Sequence, residues 1–273
     1  MSVCAGTTFE LKEFNNLFIE MTSKNCNQRC KSCYIDFPMS KNIKDFIPIE
    51  TIKEGLLNLK NDNLHCIYLT GAEPMLHPDF NSILRLCLKK CNVCICTNGS
   101  FLNEKKIRFL KKVEDEGQNQ IFIKLALVHY DETENDIIRY RGNYRQIIHS
   151  LKILCRYNFM SVLNIQNYYH LEKNEIKNKL SEILESQQIT NTDIQITESY
   201  PSYECETISN EFIPDCIYGR VLSASGVYSC PFLANDYRGR CGSDLSNFSK
   251  FVKAETDFCF TCHSNKNPVF AIG

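Results

Sequence analysis

No apolar stretch in the 273 residues is longer than a strand, which argues against a membrane-crossing helix. Neither sign of charge dominates: 31 lysines and arginines stand against 32 aspartates and glutamates, for a formal net charge of −1. With no basic run either, binding to nucleic acid through an electropositive surface has little support. The opening MSVCAGTTFELKEF lacks a basic segment followed by an apolar one, so no signal peptide is expected. Internal repeats and low-complexity tracts are missing too. What remains is 43% hydrophobic and can bury a sizeable core. The length suits one large domain, or one domain with a small appendage.

Cysteine is what the chain has in excess, with sixteen. In a secreted protein they would suggest disulfides. Without an export signal, in a chain far larger than a disulfide mini-protein, metal binding in the cytoplasm is the better expectation.

Residues 14–200 alternate short apolar runs with longer amphipathic ones. The runs LFIEM (17–21), CIYLT (66–70), VCICT (93–97), IKLALV (123–128), SVLNI (161–165) and DIQIT (193–197) read as strands. Between them lie five helical patterns. The first starts at Pro48 and carries Ile52, Leu56, Leu57 and Leu59; the others are marked by Phe80–Leu88, Ile107–Val113, Tyr144–Leu154 and Ile176–Leu184. Strands and helices in alternation predict an α/β fold with a parallel sheet and right-handed crossovers, whose sites form at the carboxyl ends of the strands. From 201 the rhythm stops. Prolines, glycines and scattered cysteines predict a small, loop-rich, metal-stapled appendage over 201–273.

Just after the first strand, NCNQRCKSCY places Cys26, Cys30 and Cys33 at C-x3-C-x2-C spacing. Three thiolates on one short loop can ligate three irons of a [4Fe–4S] cluster and leave the fourth open, as a catalytic metal site requires. A structural zinc knuckle or packed thiols are the blander readings. After the second strand comes Gly71-Ala72-Glu73-Pro74, and after the third Thr97-Asn98-Gly99.

Together these motifs resemble the radical S-adenosylmethionine (SAM) superfamily. Its loop after the first barrel strand has this cysteine spacing, and Asn27, Arg29 and Tyr34 also match residues frequent there. Its Gly-Gly-Glu-Pro turn corresponds to Gly71, Ala72, Glu73 and Pro74, with alanine at the second position. Asn98 falls in another turn common in the family, and the resemblance implies that Gly71, Ala72, Glu73, Pro74 and Asn98 bind SAM. Ser32 departs from the aromatic or apolar residue usual before the third cysteine. The resemblance implies a partial (β/α)6 barrel over 14–200 that binds a [4Fe–4S] cluster and SAM, and cleaves SAM reductively to a radical that takes hydrogen from a substrate. It names no general base. At the end of the fourth strand, where relatives have Ser-Leu-Asp-Gly, this chain has Ala126-Leu127-Val128-His129. His129 either replaces the missing polar groups or merely caps the strand. Arg141, beyond Asp136, either meets the SAM carboxylate or sits exposed.

Cys87, Cys91 and Cys94 repeat the C-x3-C-x2-C spacing, with Cys96 close behind. Spread over helix, turn and strand, they are expected to be buried small hydrophobes; Cys4, Cys66, Cys155 and Cys205 are read in the same way. Cys216, Cys230, Cys259 and Cys262 resemble the shortened auxiliary-cluster domain called twitch, a reduced SPASM domain, whose four cysteines hold a second [4Fe–4S] cluster. Cys241 falls where relatives have a non-ligand. The competing reading is zinc, with His263 beside Cys259 and Cys262.

The expected partners are a peptide or small-molecule substrate and an electron donor such as flavodoxin or ferredoxin, with no nucleic acid and no membrane. A non-catalytic iron–sulfur electron carrier is the alternative from another class. The Gly71–Pro74 turn argues against it, because a carrier has no use for a SAM amino-group site.

Overall fold

The computed structural model describes residues 7–35, 44–59, 63–199, 214–254, 256, 258, 259 and 262. The first strand, β1 (Thr7–Glu10), precedes the barrel. Six strands then alternate with helices: β2 (Asn16–Thr22), α1 (Ile49–Asn58), β3 (Cys66–Gly71), α2 (Phe80–Leu88), β4 (Asn92–Thr97), α3 (Glu104–Asp115), β5 (Ile121–Leu127), α4 (Glu132–Ile138), α5 (Asn143–Arg156), β6 (Ser161–Asn167), α6 (Lys173–Ser186) and β7 (Thr192–Glu198). Each strand from β2 to β7 pairs in parallel with the next, in sequence order. This is the partial (β/α)6 barrel, with one additional short helix, α4.

Alternation along each strand divides the layers. Leu17, Ile19 and Met21 of β2, with Ile67 and Leu69 of β3, pack outward against Ile52, Leu56, Ile83 and Leu84 of the helices in one continuous core. Facing the other way, Phe18 stacks on Tyr68 with ring centroids 4.5 Å apart. Polar side chains are buried on this inner side as well: Glu20, Thr22, Thr70, Lys124, Asn164 and Gln166. A sheet lined by polar groups within and apolar groups without encloses a site rather than a second core. The first helix departs from its expected stripe in two places. Leu57 is 83% exposed, and buried Leu59 lies one residue beyond the helix end.

The carboxyl-terminal strands continue the same sheet. They are β8 (Gly219–Ser223), β9 (Gly226–Tyr228), β10 (Arg240–Asp244) and β11 (Asn247–Phe248), and β8 pairs in parallel with β2. The order β11-β10-β9-β8-β2-β3-β4-β5-β6-β7 makes ten strands. The last strand, β12 (Phe251–Ala254), pairs antiparallel with β1. The expected division at 200/201 adjoins residues 200–213, which lie outside the described residues, as do Cys4, Cys205 and His263. Among the described residues no helix is long and apolar enough to cross a membrane.

Candidate active site

The carboxyl ends of β2, β3, β4 and β6 converge on one cavity. Its wall includes Cys26, Cys30 and Cys33 from the loop after β2, Gly71 and Ala72 from the end of β3, and Thr97 and Asn98 from the end of β4. The three expected ligands and three of the five expected SAM-contacting residues thus face the same space.

The sulfur of Cys26 is prepared for negative charge. The Gln28 backbone N–H donates to it at 3.3 Å and Asn98 Nδ2 at 3.6 Å. Burial nonetheless raises its pKa. Cys33 is exposed as a residue, yet its thiol faces the crowded cavity, and burial pushes it up to about 11. Such thiols are protonated near neutral pH, so a metal that binds them must displace protons. Among the described residues no group of three or more His, Cys, Asp or Glu side chains is placed around a single ion.

Glu73 and Pro74 stand behind the wall rather than in it. Pro74 opens a 3-10 turn, Pro74–Leu76, and Glu73 caps that turn. Glu73 Oε1 accepts from Met75 N (3.0 Å) and Thr97 Oγ1 (2.8 Å), and Oε2 accepts from Asn98 N (2.9 Å). The carboxyl is completely buried, and burial pushes it up to about 7 against those hydrogen bonds. It latches the ends of β3 and β4 together, which holds Gly71 and Ala72 at the cavity. Gly71 is required there. Its φ is +111°, and a Cβ would lie 2.3 Å from the Thr22 carbonyl oxygen.

Three buried polar atoms of this wall have no hydrogen-bond partner among the described residues: Ser32 Oγ, Thr70 Oγ1 and Arg139 Nε. Buried polar groups are nearly always satisfied, so this cluster marks a place for a polar ligand. Together with the three thiols and the glycine cradle, it fits a [4Fe–4S] cluster bearing SAM.

Arg139, and not Arg141, lines the cavity. It follows α4 and turns inward, while Arg141 is exposed. Asp136 has a local task, accepting from the N–H groups of Gly142 (2.5 Å) and Tyr144 (2.9 Å) at the start of α5. His129 lies outside the cavity wall. Its Nδ1 accepts from Asp131 N at 2.9 Å and its ring packs on Tyr130 and Tyr169, so it closes the strand end. Sequence reasoning also missed Gln166, at the end of β6, which donates to the Ser32 carbonyl at 3.2 Å. Inward alternation on β6 was the available signal.

The second cysteine string is dispersed as expected. Cys87 lies on α2, Cys91 before β4 and Cys94 within β4, all buried. Cys96 is the exception to a purely packing role, since it lines the first cavity.

A second, apolar cavity is lined by Cys216, Cys230, Cys259 and Cys262 with Phe232 and Phe258. Burial drives the Cys230 thiol strongly upward, reinforced by Cys259 and Cys216 nearby. Cys241 lies outside that lining. Between the two cavities runs a cleft of about 450 Å³. It shares Tyr34 and Ile35 with the first and Phe232 and Phe258 with the second. Buried Glu20 stands in its wall, and its Oε2 accepts from Ser23 Oγ (2.8 Å) and Asn235 Nδ2 (2.6 Å).

Residues 21–185, more than half of the chain, match the family model described as Radical SAM superfamily. Among curated proteins, the antilisterial bacteriocin subtilosin biosynthesis protein AlbA of Bacillus subtilis (strain 168) is 27% identical over 137 residues, covering 50% of this chain and 29% of that protein. The S-adenosylmethionine-dependent nucleotide dehydratase RSAD2 of Siniperca chuatsi is 25% identical over 159 residues, covering 53% and 42%. The matches thus span less than half the length of these relatives. Among solved structures, Streptococcus suis SuiB bound to precursor peptide SuiA superposes with a TM-score of 0.63 at 14% identity, covering 93% of this chain and 65% of that one. The structure of anSMEcpe with bound AdoMet gives 0.64 at 14% identity, covering 92% and 81%. At that identity the likeness is one of fold. The family match, the cysteine loop and the cradle it faces agree: this chain belongs to the radical SAM superfamily.

Proposed function

We propose that this chain is a peptide-modifying radical SAM enzyme with two iron–sulfur clusters. The observation that carries the reading is the cleft between two cysteine-lined cavities, which shares wall residues with each. A substrate held there would border both.

Cys26, Cys30 and Cys33 would hold a [4Fe–4S] cluster with one iron left for SAM. When reduced, that cluster would supply an electron to the bound SAM, whose sulfonium C–S bond would break to give methionine and a 5′-deoxyadenosyl radical able to take hydrogen from a substrate. The chain's own residues position and enclose. Gly71 and Ala72 let the backbone approach the SAM amino group, and Glu73 and Pro74 keep that turn in place. Asn98 and the Gln28 N–H donate to the Cys26 sulfur and favour its thiolate. Arg139 supplies a buried cation for the SAM carboxylate. Tyr34, packed edge-on against Phe232 at 5.3 Å, closes the loop side of the cleft against water.

Cys216, Cys230, Cys259 and Cys262 would hold the auxiliary cluster, in the manner of a twitch domain over 201–273 appended to the 14–200 barrel. A flavodoxin or ferredoxin would supply electrons to the first cluster. A peptide is favoured over a small metabolite because AlbA is named for bacteriocin biosynthesis and SuiB was solved with a precursor peptide.

Two measurements test the reading. Anaerobically reconstituted protein should contain about eight irons per chain, four for each cluster; about four would return the tail to zinc or bare thiols. With SAM and dithionite, a fully deuterated peptide digest should pass deuterium into 5′-deoxyadenosine. Transfer only from the small-molecule fraction of the same cells would turn the reading to a metabolite.

A further inference from the structure

Arg220, the second residue of β8, is the largest fully buried side chain of the described residues, with no exposure at all. Its guanidinium is tied to neutral carbonyls and to the Cys241 thiol. Nη1 donates to the Cys216 and Gly219 oxygens, the latter at 2.7 Å, and Nη2 donates to Lys250 O at 2.7 Å. Nε has no hydrogen-bond partner among the described residues, and the Phe248 ring centroid lies 6.0 Å from the guanidinium carbon. Among the described residues no carboxylate stands within ion-pair distance of it.

A buried cation with no carboxylate beside it among the described residues is costly and calls for an anion nearby. The ionisable groups that face Arg220 are thiols: Cys241, Cys216 and Cys230. Burial raises Cys241 against the opposing pull of Arg220, which favours the neutral thiol. Cys216 and Cys230 belong to the four-cysteine cavity. Four thiolates around a [4Fe–4S] cluster make an anionic centre, and reduction adds one more negative charge. A fixed cation in a poorly polarisable surrounding eases that addition.

We propose that Arg220 is the counter-ion of the auxiliary cluster and raises its reduction potential, so that the cluster can accept an electron released from the substrate. Arg220 is a positioning residue in this scheme, acting through the cluster and not on the substrate. The inference rests on the four-cysteine cavity holding iron and sulfide.

The test uses the full chain with Cys26, Cys30 and Cys33 replaced by alanine, so that only the auxiliary cluster is seen. The midpoint potential is read by anaerobic titration followed by electron paramagnetic resonance. Arg220→Gln, which keeps hydrogen-bond donors but loses the charge, should shift the potential to more negative values. Arg220→Lys, which keeps the charge but loses the fork that binds three carbonyls, should stay near the parent. A Gln variant that fails to load, beside a Lys variant with cluster and potential intact, also supports the charge role. Equal shifts in both variants, no shift with Gln, or loss of iron from both would overturn it. A parent chain that binds no iron and sulfide overturns the tail reading itself, an outcome distinct from the others.

Discussion

Two segments of this chain carry the same cysteine spacing and end in different worlds. Cys26, Cys30 and Cys33 sit on a loop beyond a strand end and turn into one cavity. Cys87, Cys91 and Cys94 span a helix, a turn and a strand, with Cys87 packed in the apolar core. Ligand convergence therefore comes from the element that bears the residues, because a helix and a strand fix side-chain directions that a loop leaves free. The partners differ as well. The loop faces a glycine cradle and unsatisfied polar atoms, whereas Cys87 meets aliphatic side chains.

Exchanging the two sets gives the largest expected contrast. Alanine at Cys26, Cys30 and Cys33 should lower the iron content by about four per chain, while alanine at Cys87, Cys91 and Cys94 should leave it unchanged. Iron loss from the second variant in a folded protein would break the comparison.

Glu73 sharpens it through pH. In the folded chain without ligands its carboxyl is pushed up to about 7, against 4.5 as the ordinary value. Below about pH 4.5 both folded and unfolded states hold the proton. Between there and about 7 only the unfolded chain releases it, so stability falls as pH rises through that window, by ~3 kcal/mol on this group's account. Urea midpoints measured from pH 4.5 to 7.5 should show this slope, and Glu73→Gln should flatten it.

Arg139 and Arg141 supply a smaller contrast, two residues apart in sequence. Removing the buried guanidinium in Arg139→Ala should weaken SAM binding about 10- to 100-fold, the worth of a charge-assisted hydrogen bond. Arg141→Ala should leave it within about twofold, as expected of an exposed side chain away from the site. Isothermal titration of the cluster-loaded protein with SAM reads both. Equal losses would reopen the choice between them.

The smallest effect belongs to the core. Cys87→Ala removes one buried sulfur and should cost ~1 kcal/mol of folding stability. Cys30→Ala in the metal-free chain should cost less, since that loop packs less tightly. Denaturant melts of the two variants check the order.

Much of the barrel was legible because each strand is a short apolar run and each long helix repeats its apolar residues every three or four positions. Helix α4 escaped notice because its 7 residues bury only Asn135 and Ile138, too few to show a period. The pairing of β8 with β2 was also hidden, since it joins residues about 200 apart and no local pattern encodes such a partner. In the site, residues held by their own loop could be read directly: the three cysteines, the Gly71–Ala72 cradle and Asn98. Residues that act from a distance could not. Arg139 is aimed by the packing of α4, and Glu20 is held by Asn235 of the carboxyl-terminal loops. Glu73 is expected to bind SAM from the resemblance of its turn. Its three internal hydrogen bonds, which place it behind the wall, depend on Thr97 and Asn98 from the next strand.

If the loop thiols and their cradle support reductive cleavage of SAM, the three cysteines are indispensable to it. The most direct measurement is 5′-deoxyadenosine released from SAM by the dithionite-reduced, cluster-loaded chain, beside the variant with alanine at Cys26, Cys30 and Cys33. Release is expected from the first and none above background from the second. Equal release from both would contradict it.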